Sequence, residues 1–454
     1  LIITFLSVFA YASGEINNRV SSQNSQIYLN NASDEQIRVL ITPKYPERSV
    51  KQEAMLQISK IRIKEDYGKS FSAIVSQKEY ENLKKNSGIE KIEVIPTRKL
   101  FLQDSVPLIN ATLAWSLQAN GFNLTGIGET VCIIDTGVNY SHLDLGGCFG
   151  DNNFSSTCKI VGGWNTLQNN NNILDTNGHG THVSGIVAAN GSINGVAPGA
   201  KIIMMMAYNS TTGLFYDDDL KEAIDWCVNN ASVFNISVIS MSLGGGSYSS
   251  NCDYQDDPLN ITNSINLAVA KNISVVVATG NDNSFTYIAS PACMSNVTPV
   301  SATNKNDTIA LYANTNSLVR LLAPGGDNSG VAVREINSTW KTGLYNSISG
   351  TSMATPHVAG AILLINQYLR QLGQTKTPLE IEILLNNTGK IIQDFGYSEL
   401  NFSRINIYAA IFNLTRYPPL VTLLSPVNNK FTLNNVTNFS CSSSGLNLTN
   451  ITFY

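Results

Sequence analysis

Between residues 130 and 280 one pattern recurs: a short apolar run that stops abruptly at small or polar residues. TVCIID ends in Asp135-Thr136-Gly137, VISMSLG runs into Ser242-Leu243-Gly244-Gly245-Gly246, and SVVVATG ends in Thr279-Gly280-Asn281, with KIIMMMA as a fourth such run. Between them lie segments with helical patterning: THVSGIVAA, about Leu220 to Asn230, and INLAVAKN. A strand that is apolar on both faces has no side to offer to water. Such strands alternating with amphipathic helices therefore read as an α/β fold in three layers, a parallel sheet covered by helices on both faces. An open sheet of this kind binds its ligand beyond the carboxyl ends of its strands, which is where the Asp, Ser, Gly and Asn residues fall.

The 454 residues leave room for more than this one layer system. Residues 34–103 are rich in Lys and poor in Gly. They alternate strand (RVLIT), helix (Arg48 to Ile58), strand (FSAIV), helix (EYENLKK) and strand (KIEVI), closing at Pro96. A boundary is expected between Thr97 and Val106. Residues 104–415, rich in Gly, Ala, Asn and Ser, form the large α/β domain. After Pro418-Pro419, short alternating segments over 416–454 read as the first strands of an incomplete Ig-like β-sandwich. Residues 1–12 are an apolar run closed by Ala10-Tyr11-Ala12, the small-x-small form of a secretory leader whose start is missing. No later stretch is apolar for long enough to span a bilayer.

Three segments carry chemistry: IIDTGVNYSHLDL with Asp135, NGHGTHVSGIVAA with His179, and SGTSMATPHVAGA with Ser352. They place a carboxylate at a strand end, a His in a Gly-bracketed turn that opens a helix, and a Ser at another helix start. A Ser hydroxyl is a weak nucleophile until an imidazole takes its proton, and the imidazole needs a carboxylate to fix its tautomer and stabilise its cation. Pro356 falls in the first turns of the helix after Ser352, where a missing N–H is expected to cost little. Singly, each motif is a turn or a helix cap. Together and in this order, the three segments resemble the Asp, His and Ser signatures of the subtilisin-like serine peptidases, the subtilases.

That resemblance covers about Val131 to Leu414. It implies a subtilisin-like catalytic domain in which Asp135 orients His179, His179 is general base and then general acid, and Ser352 is the nucleophile. It also implies that Asn281, in VVVATGNDN, donates its amide to the oxyanion, and that Ser242, Leu243 and Gly244 form the edge that pairs with an extended polypeptide substrate. The unit at 34–103 is more weakly similar to the inhibitor-type (I9) propeptide of these enzymes, which implies an α+β intramolecular inhibitor released by self-processing. His142, His182 and His357 read as structural, and Asp217-Asp218-Asp219 as a solvated helix start. No cofactor is required for this chemistry. The one metal suggested by the resemblance is a structural Ca²⁺ at Asp144 in SHLDL, but the loop NGSING at 190–195 looks shortened relative to members in which it supplies the other ligands.

Seven cysteines fit an exported, secreted or cell-surface protein. Cys148 and Cys158 bracket a Gly/Asn/Ser loop and are expected to be bonded, as are Cys252 and Cys293 in polar loop contexts. Cys132, inside an apolar strand, and Cys227, inside a helix, read as buried small hydrophobes, and Cys441 has no partner after it. Asn-x-Ser/Thr sequons from Asn31 to Asn450 are compatible with glycosylation without assigning a site. With 29 Lys and Arg against 33 Asp and Glu, a pI near 5.7 and no basic run, the chain does not read as a nucleic-acid binder. The net charge of −4 is unevenly spread: residues 34–104 hold 14 basic and 11 acidic side chains, whereas 105–416 hold 13 and 21. A surface-binding protein on a dead peptidase scaffold is the alternative; such proteins lose a triad member or the oxyanion Asn, and all four residues are present here.

Overall fold

The apolar runs lie side by side. In the computed structural model, which describes residues 36–44, 62–95, 102–255, 257–394, 399–415, 420–425 and 440–444, a nine-stranded sheet forms the middle of the large unit. From one edge its strands are Lys390–Gln393, Asn401–Arg404, Leu321–Pro324, Thr298–Thr303, Ser274–Ala278, Ile236–Met241, Thr130–Asp135, Lys201–Met206 and Ile160–Asn165. Every pairing is parallel except that of the edge strand Lys390–Gln393, which runs antiparallel to Asn401–Arg404.

Alternation along each strand divides the core between two faces. Val131 and Ile133 enter a cluster with the helices His179–Ala188, Thr351–Gln371 and Ile407–Thr415, while Cys132 and Ile134 enter one with Asp217–Asn229 and Ile261–Ala270. This is the three-layer α/β fold expected from the sequence. Helix Thr351–Gln371 is the innermost, buried along most of its length. Asp217, Asp218 and Asp219 fill the first turn of their helix, where negative charge faces the positive end of the helix dipole.

The chain divides into two compact units, Leu1–Lys99 and Leu100–Ile451. The first has a four-stranded antiparallel sheet in the order Arg62–Asp66, Phe71–Ser76, Gln36–Pro43, Ile89–Val94. Helix Gln77–Lys84 starts at a reciprocal Ser76–Glu79 capping box. The strand Arg62–Asp66 escaped the sequence reading because RIKED has too few apolar residues to alternate. The expected helix at 48–58, the leader and residues 96–101 around the expected cleavage point lie outside the described residues. Of 416–454, two strands are described, Leu420–Ser425 and Ser440–Ser444, paired antiparallel.

Three disulfides join Cys148 to Cys158, Cys252 to Cys293 and Cys132 to Cys227. The first two match expectation; the third corrects it. Cys132 and Cys227 are indeed buried, but helix Asp217–Asn229 packs on strand Thr130–Asp135 and brings their Cα atoms to 6.2 Å, within bonding reach. Strand and helix periodicity each explained one cysteine as apolar filler, and only the packing of one element on the other shows them facing. Thiol titration of the denatured, unreduced protein should find none of these six cysteines free. Replacing Cys132 and Cys227 together by Ala should lower stability in denaturant unfolding by about 2–5 kcal/mol, because the bond closes a 95-residue separation.

Candidate active site

Four sequence-predicted residues come from four elements that end at the same side of the sheet. Asp135 is the last residue of its strand, His179 the first of helix His179–Ala188, Ser352 the second of helix Thr351–Gln371, and Asn281 follows strand Ser274–Ala278 by three residues. The Nδ1 of His179 lies 2.8 Å from Asp135 Oδ1, and the carboxylate can only accept, so Nδ1 carries the proton and Nε2 is left as a base. The same carboxylate oxygen accepts from the Thr136 backbone N–H at 2.7 Å. Helix His179–Ala188 approaches this strand end so closely that a Cβ on residue 180 would lie 2.2 Å from the Gly137 carbonyl, which is why glycine follows the histidine.

A second buried carboxylate, which the sequence reading passed over, builds the turn that presents His179. Asp175 Oδ1 accepts from the backbone N–H groups of Asn177 and Gly178 and from the Thr136 hydroxyl. Its Oδ2 accepts from both the N–H and the hydroxyl of Thr181. Thr136 in turn accepts from Gly180 N–H at 2.9 Å, tying the Asp135 strand end to the His179 helix. The signal was available: an Asp shortly before a Gly-bracketed helix start is a turn-forming residue. Burial by itself pushes the His179 imidazole down, but the charge of Asp135, their hydrogen bond and the charge of Asp175 together raise its pKa above the ordinary value.

Asn281 is fixed by Thr351, the residue before the serine. Its Oδ1 accepts from Thr351 N–H at 2.9 Å and from the Thr351 hydroxyl at 3.0 Å, which assigns the amide and turns Nδ2 the other way. A Cβ placed on Gly350 would sit 3.5 Å from Asn281 Nδ2 and 3.6 Å from Ser352 N, so glycine there keeps open the space beside both donors. The Ser352 hydroxyl donates to the Ser242 carbonyl at 3.1 Å, and the structure forms no Ser352–His179 hydrogen bond.

Ser242 and Leu243 are buried just beyond strand Ile236–Met241. A Cβ on Gly244 would meet Ala289 Cβ at 2.9 Å and the Ser290 carbonyl at 3.0 Å, whereas one on Gly245 would meet nothing. Glycine at 244 is thus needed for close packing.

Pro356 is the sixth residue of its helix, past the first turn, and the expectation that its missing N–H is harmless needs correcting. In an α-helix that N–H would bond the carbonyl four residues back, which belongs to Ser352. The Ser242 hydroxyl occupies that carbonyl instead, at 2.8 Å.

The remaining histidines are structural. His182 Nε2 lies 3.0 and 3.1 Å from the carbonyls of Ile336 and Asn346, and burial lowers its pKa to about 3. His357 donates from Nδ1 to the Met353 carbonyl and accepts from the Ser105 hydroxyl at Nε2, and burial lowers its pKa to about 4. His142 accepts at Nδ1 from Asp144 N–H and reaches the Leu344 carbonyl with Nε2. The Asp144 carboxylate is engaged by the N–H groups of Ser192 and Ile193 and the hydroxyl of Tyr345. Three donors aimed at one carboxylate do not fit a cation there, and among the described residues no cluster of acidic, His or Cys side chains makes a metal site.

A parallel α/β sheet with Asp, His, Ser and an oriented Asn at one end is the arrangement of a serine hydrolase. The profile of the subtilase family, peptidase S8, matches residues 126–403. The chain is 30% identical to alkaline serine exoprotease A of Vibrio alginolyticus over 74% of its own length and 59% of that protein's. It is 33% identical to thermitase of Thermoactinomyces vulgaris over 67% of its own length and 93% of that protein's. The epidermin leader peptide processing serine protease of Staphylococcus aureus shares the fold, at 21% identity and a TM-score of 0.56, covering 85% of this chain and 99% of that one. The chain belongs to the subtilase family. It spans about three-fifths of the length of some of its relatives, the exoprotease among them.

The electrostatics can be checked without any assay of activity. In NMR titration His179 should titrate above the ordinary value of about 6.5. Asp175→Asn, which removes one of the charges raising it, should move that titration to lower pH.

Proposed function

We propose that this chain is a secreted serine endopeptidase, made as a self-processing zymogen, with Ser352 as nucleophile. The observation that carries the reading is the Asp135–His179 hydrogen bond beside a helix-start serine whose neighbour Thr351 orients Asn281. The Ser352 hydroxyl turns from the Ser242 carbonyl to His179 Nε2 and gives up its proton as the oxygen attacks a peptide carbonyl. The carbonyl oxygen becomes an oxyanion and takes hydrogen bonds from Asn281 Nδ2 and Ser352 N–H. Asp135 stabilises the imidazolium, which then protonates the leaving amine and leaves an acyl-enzyme. Water, activated by the same imidazole, hydrolyses it. An extended polypeptide pairs along Ser242-Leu243-Gly244, which favours a peptide over a small ester as the natural substrate.

Three disulfides favour an oxidising compartment and hence export. Among the described residues no helix is long and apolar enough to cross a membrane. The unit at 34–103 is proposed as the propeptide: it precedes the catalytic domain, its described residues have their own small core, and it carries a positive balance where the domain is acidic. A parallel sheet with many non-local pairings folds slowly, a physical reason for a template. Opposite charge favours their encounter, so inhibition by the isolated unit added in trans should weaken with salt.

Ser352→Ala should abolish hydrolysis of an unfolded protein substrate, labelling by a fluorophosphonate probe, and release of the N-terminal unit. N-terminal sequencing after expression checks the last of these, and self-cleavage that persists in the variant would overturn the assignment. Asn281→Ala should lower kcat by about 10²–10³-fold with the fold intact.

A further inference from the structure

The helix that carries the nucleophile has a defect at the place where precision matters most. Residues 351–371 form one helix, and Pro356 lies inside it. Proline has no N–H, so the carbonyl of Ser352 loses its intrahelical partner, and the proline ring also crowds that carbonyl. A carbonyl left unpaired in a partly buried position is unfavourable. It would also leave the peptide after the nucleophile free to tilt.

The defect is repaired from outside the helix. The Ser242 side chain, only 4% exposed, donates to the Ser352 carbonyl at 2.8 Å, while the Ser352 hydroxyl donates back to the Ser242 carbonyl at 3.1 Å. On the other side of the serine, Thr351 N–H and its hydroxyl are held by Asn281. The Ser352 carbonyl is thus held by the residue that follows the strand ending at Met241, and the preceding residue, Thr351, is held by Asn281. Among the described residues the Ser242 hydroxyl has the Ser352 carbonyl as its acceptor and no other.

We infer that the Ser242 hydroxyl is a positioning group for the nucleophile, standing in for the helix hydrogen bond that Pro356 removes. This rests on Ser352 being the nucleophile. The role is distinct from substrate pairing, which uses the backbone of the 242–244 edge and would survive loss of the hydroxyl. Proline at 356 keeps the Ser352 carbonyl free of the helix ladder, so that an adjoining strand rather than the helix itself decides where that peptide points.

The test is a double-mutant cycle on the full chain, with kcat and KM measured on a peptide substrate for wild type, Ser242→Ala, Pro356→Ala and the double variant. In the Pro356 background Ser242→Ala should lower kcat by about ten- to a hundredfold with little change in KM, the penalty of a misplaced reacting group. In the Pro356→Ala background the helix again has an N–H to offer the Ser352 carbonyl. There, removing the Ser242 hydroxyl should cost less than about threefold, because the helix ladder holds the peptide. An equal loss in both backgrounds, or no loss in the Pro356 background, overturns the proposal. If Ser242→Ala does not fold, the double variant should fold and be active, and its failure where Pro356→Ala alone succeeds also overturns it. Fluorophosphonate labelling of the wild type separates the two levels: labelling on Ser352 upholds the nucleophile whatever the cycle shows. Absence of labelling removes that reading and this inference with it.

Discussion

The arrangement depends on one buried helix held at a fixed height against the sheet. Thr351–Gln371 runs through the larger hydrophobic cluster of the large unit, and its first two residues are part of the site. Its far end is anchored as well. Gln367 accepts from the N–H groups of Thr125 and Gly126, and Arg370 pairs with buried Glu129 at 2.7 Å, just before the strand that ends in Asp135. A close-packed interior does not deform continuously, so a helix pinned at both ends delivers its N-terminal serine to one place relative to the strand that delivers the aspartate. The His179 helix is held between them by side chains such as Thr181 and His182, which bond the backbone of the segments that flank it.

Around this frame most polar groups of the site have hydrogen-bond partners, although Asp135 Oδ2 is buried without one. Asp175 receives five donors and Asn281 Oδ1 two, and the carbonyl orphaned by Pro356 is taken by Ser242. Preorganisation of this kind lets an active site stabilise developing charge without reorganising during the reaction. The two carboxylates near His179 have separate duties. Asp135 touches the imidazole and sets its tautomer, while Asp175 acts at longer range through its charge and through the turn it organises.

Much of this was legible in the chain. Strands apolar on both faces could belong only to a covered parallel sheet, and residues of catalytic type stood at their ends. Asp135, His179, Ser352 and Asn281 could be named because each sits in a local motif whose glycines and small residues record how closely backbones approach. What escaped is equally physical. Asp175 builds a local turn but also bonds Thr136 on another element, and Thr351 bonds Asn281, 70 residues away, so neither set of partners is written in the neighbouring sequence. Ser242 acts on a carbonyl 110 residues away, and a hydroxyl carries no sequence mark of its acceptor. Arg62–Asp66 joins its sheet through backbone pairing, which charged side chains do not announce.

The sequence by itself determined the layer architecture and the family and picked out the candidate reacting groups, because periodicity and short motifs are properties of neighbouring residues. Only the tertiary structure decided that Cys132 and Cys227 are bonded, that Asp144 is spent on backbone N–H groups, and that Pro356 is a defect answered by Ser242. Each of these depends on which face of one element meets which face of another, and that is fixed when the core packs.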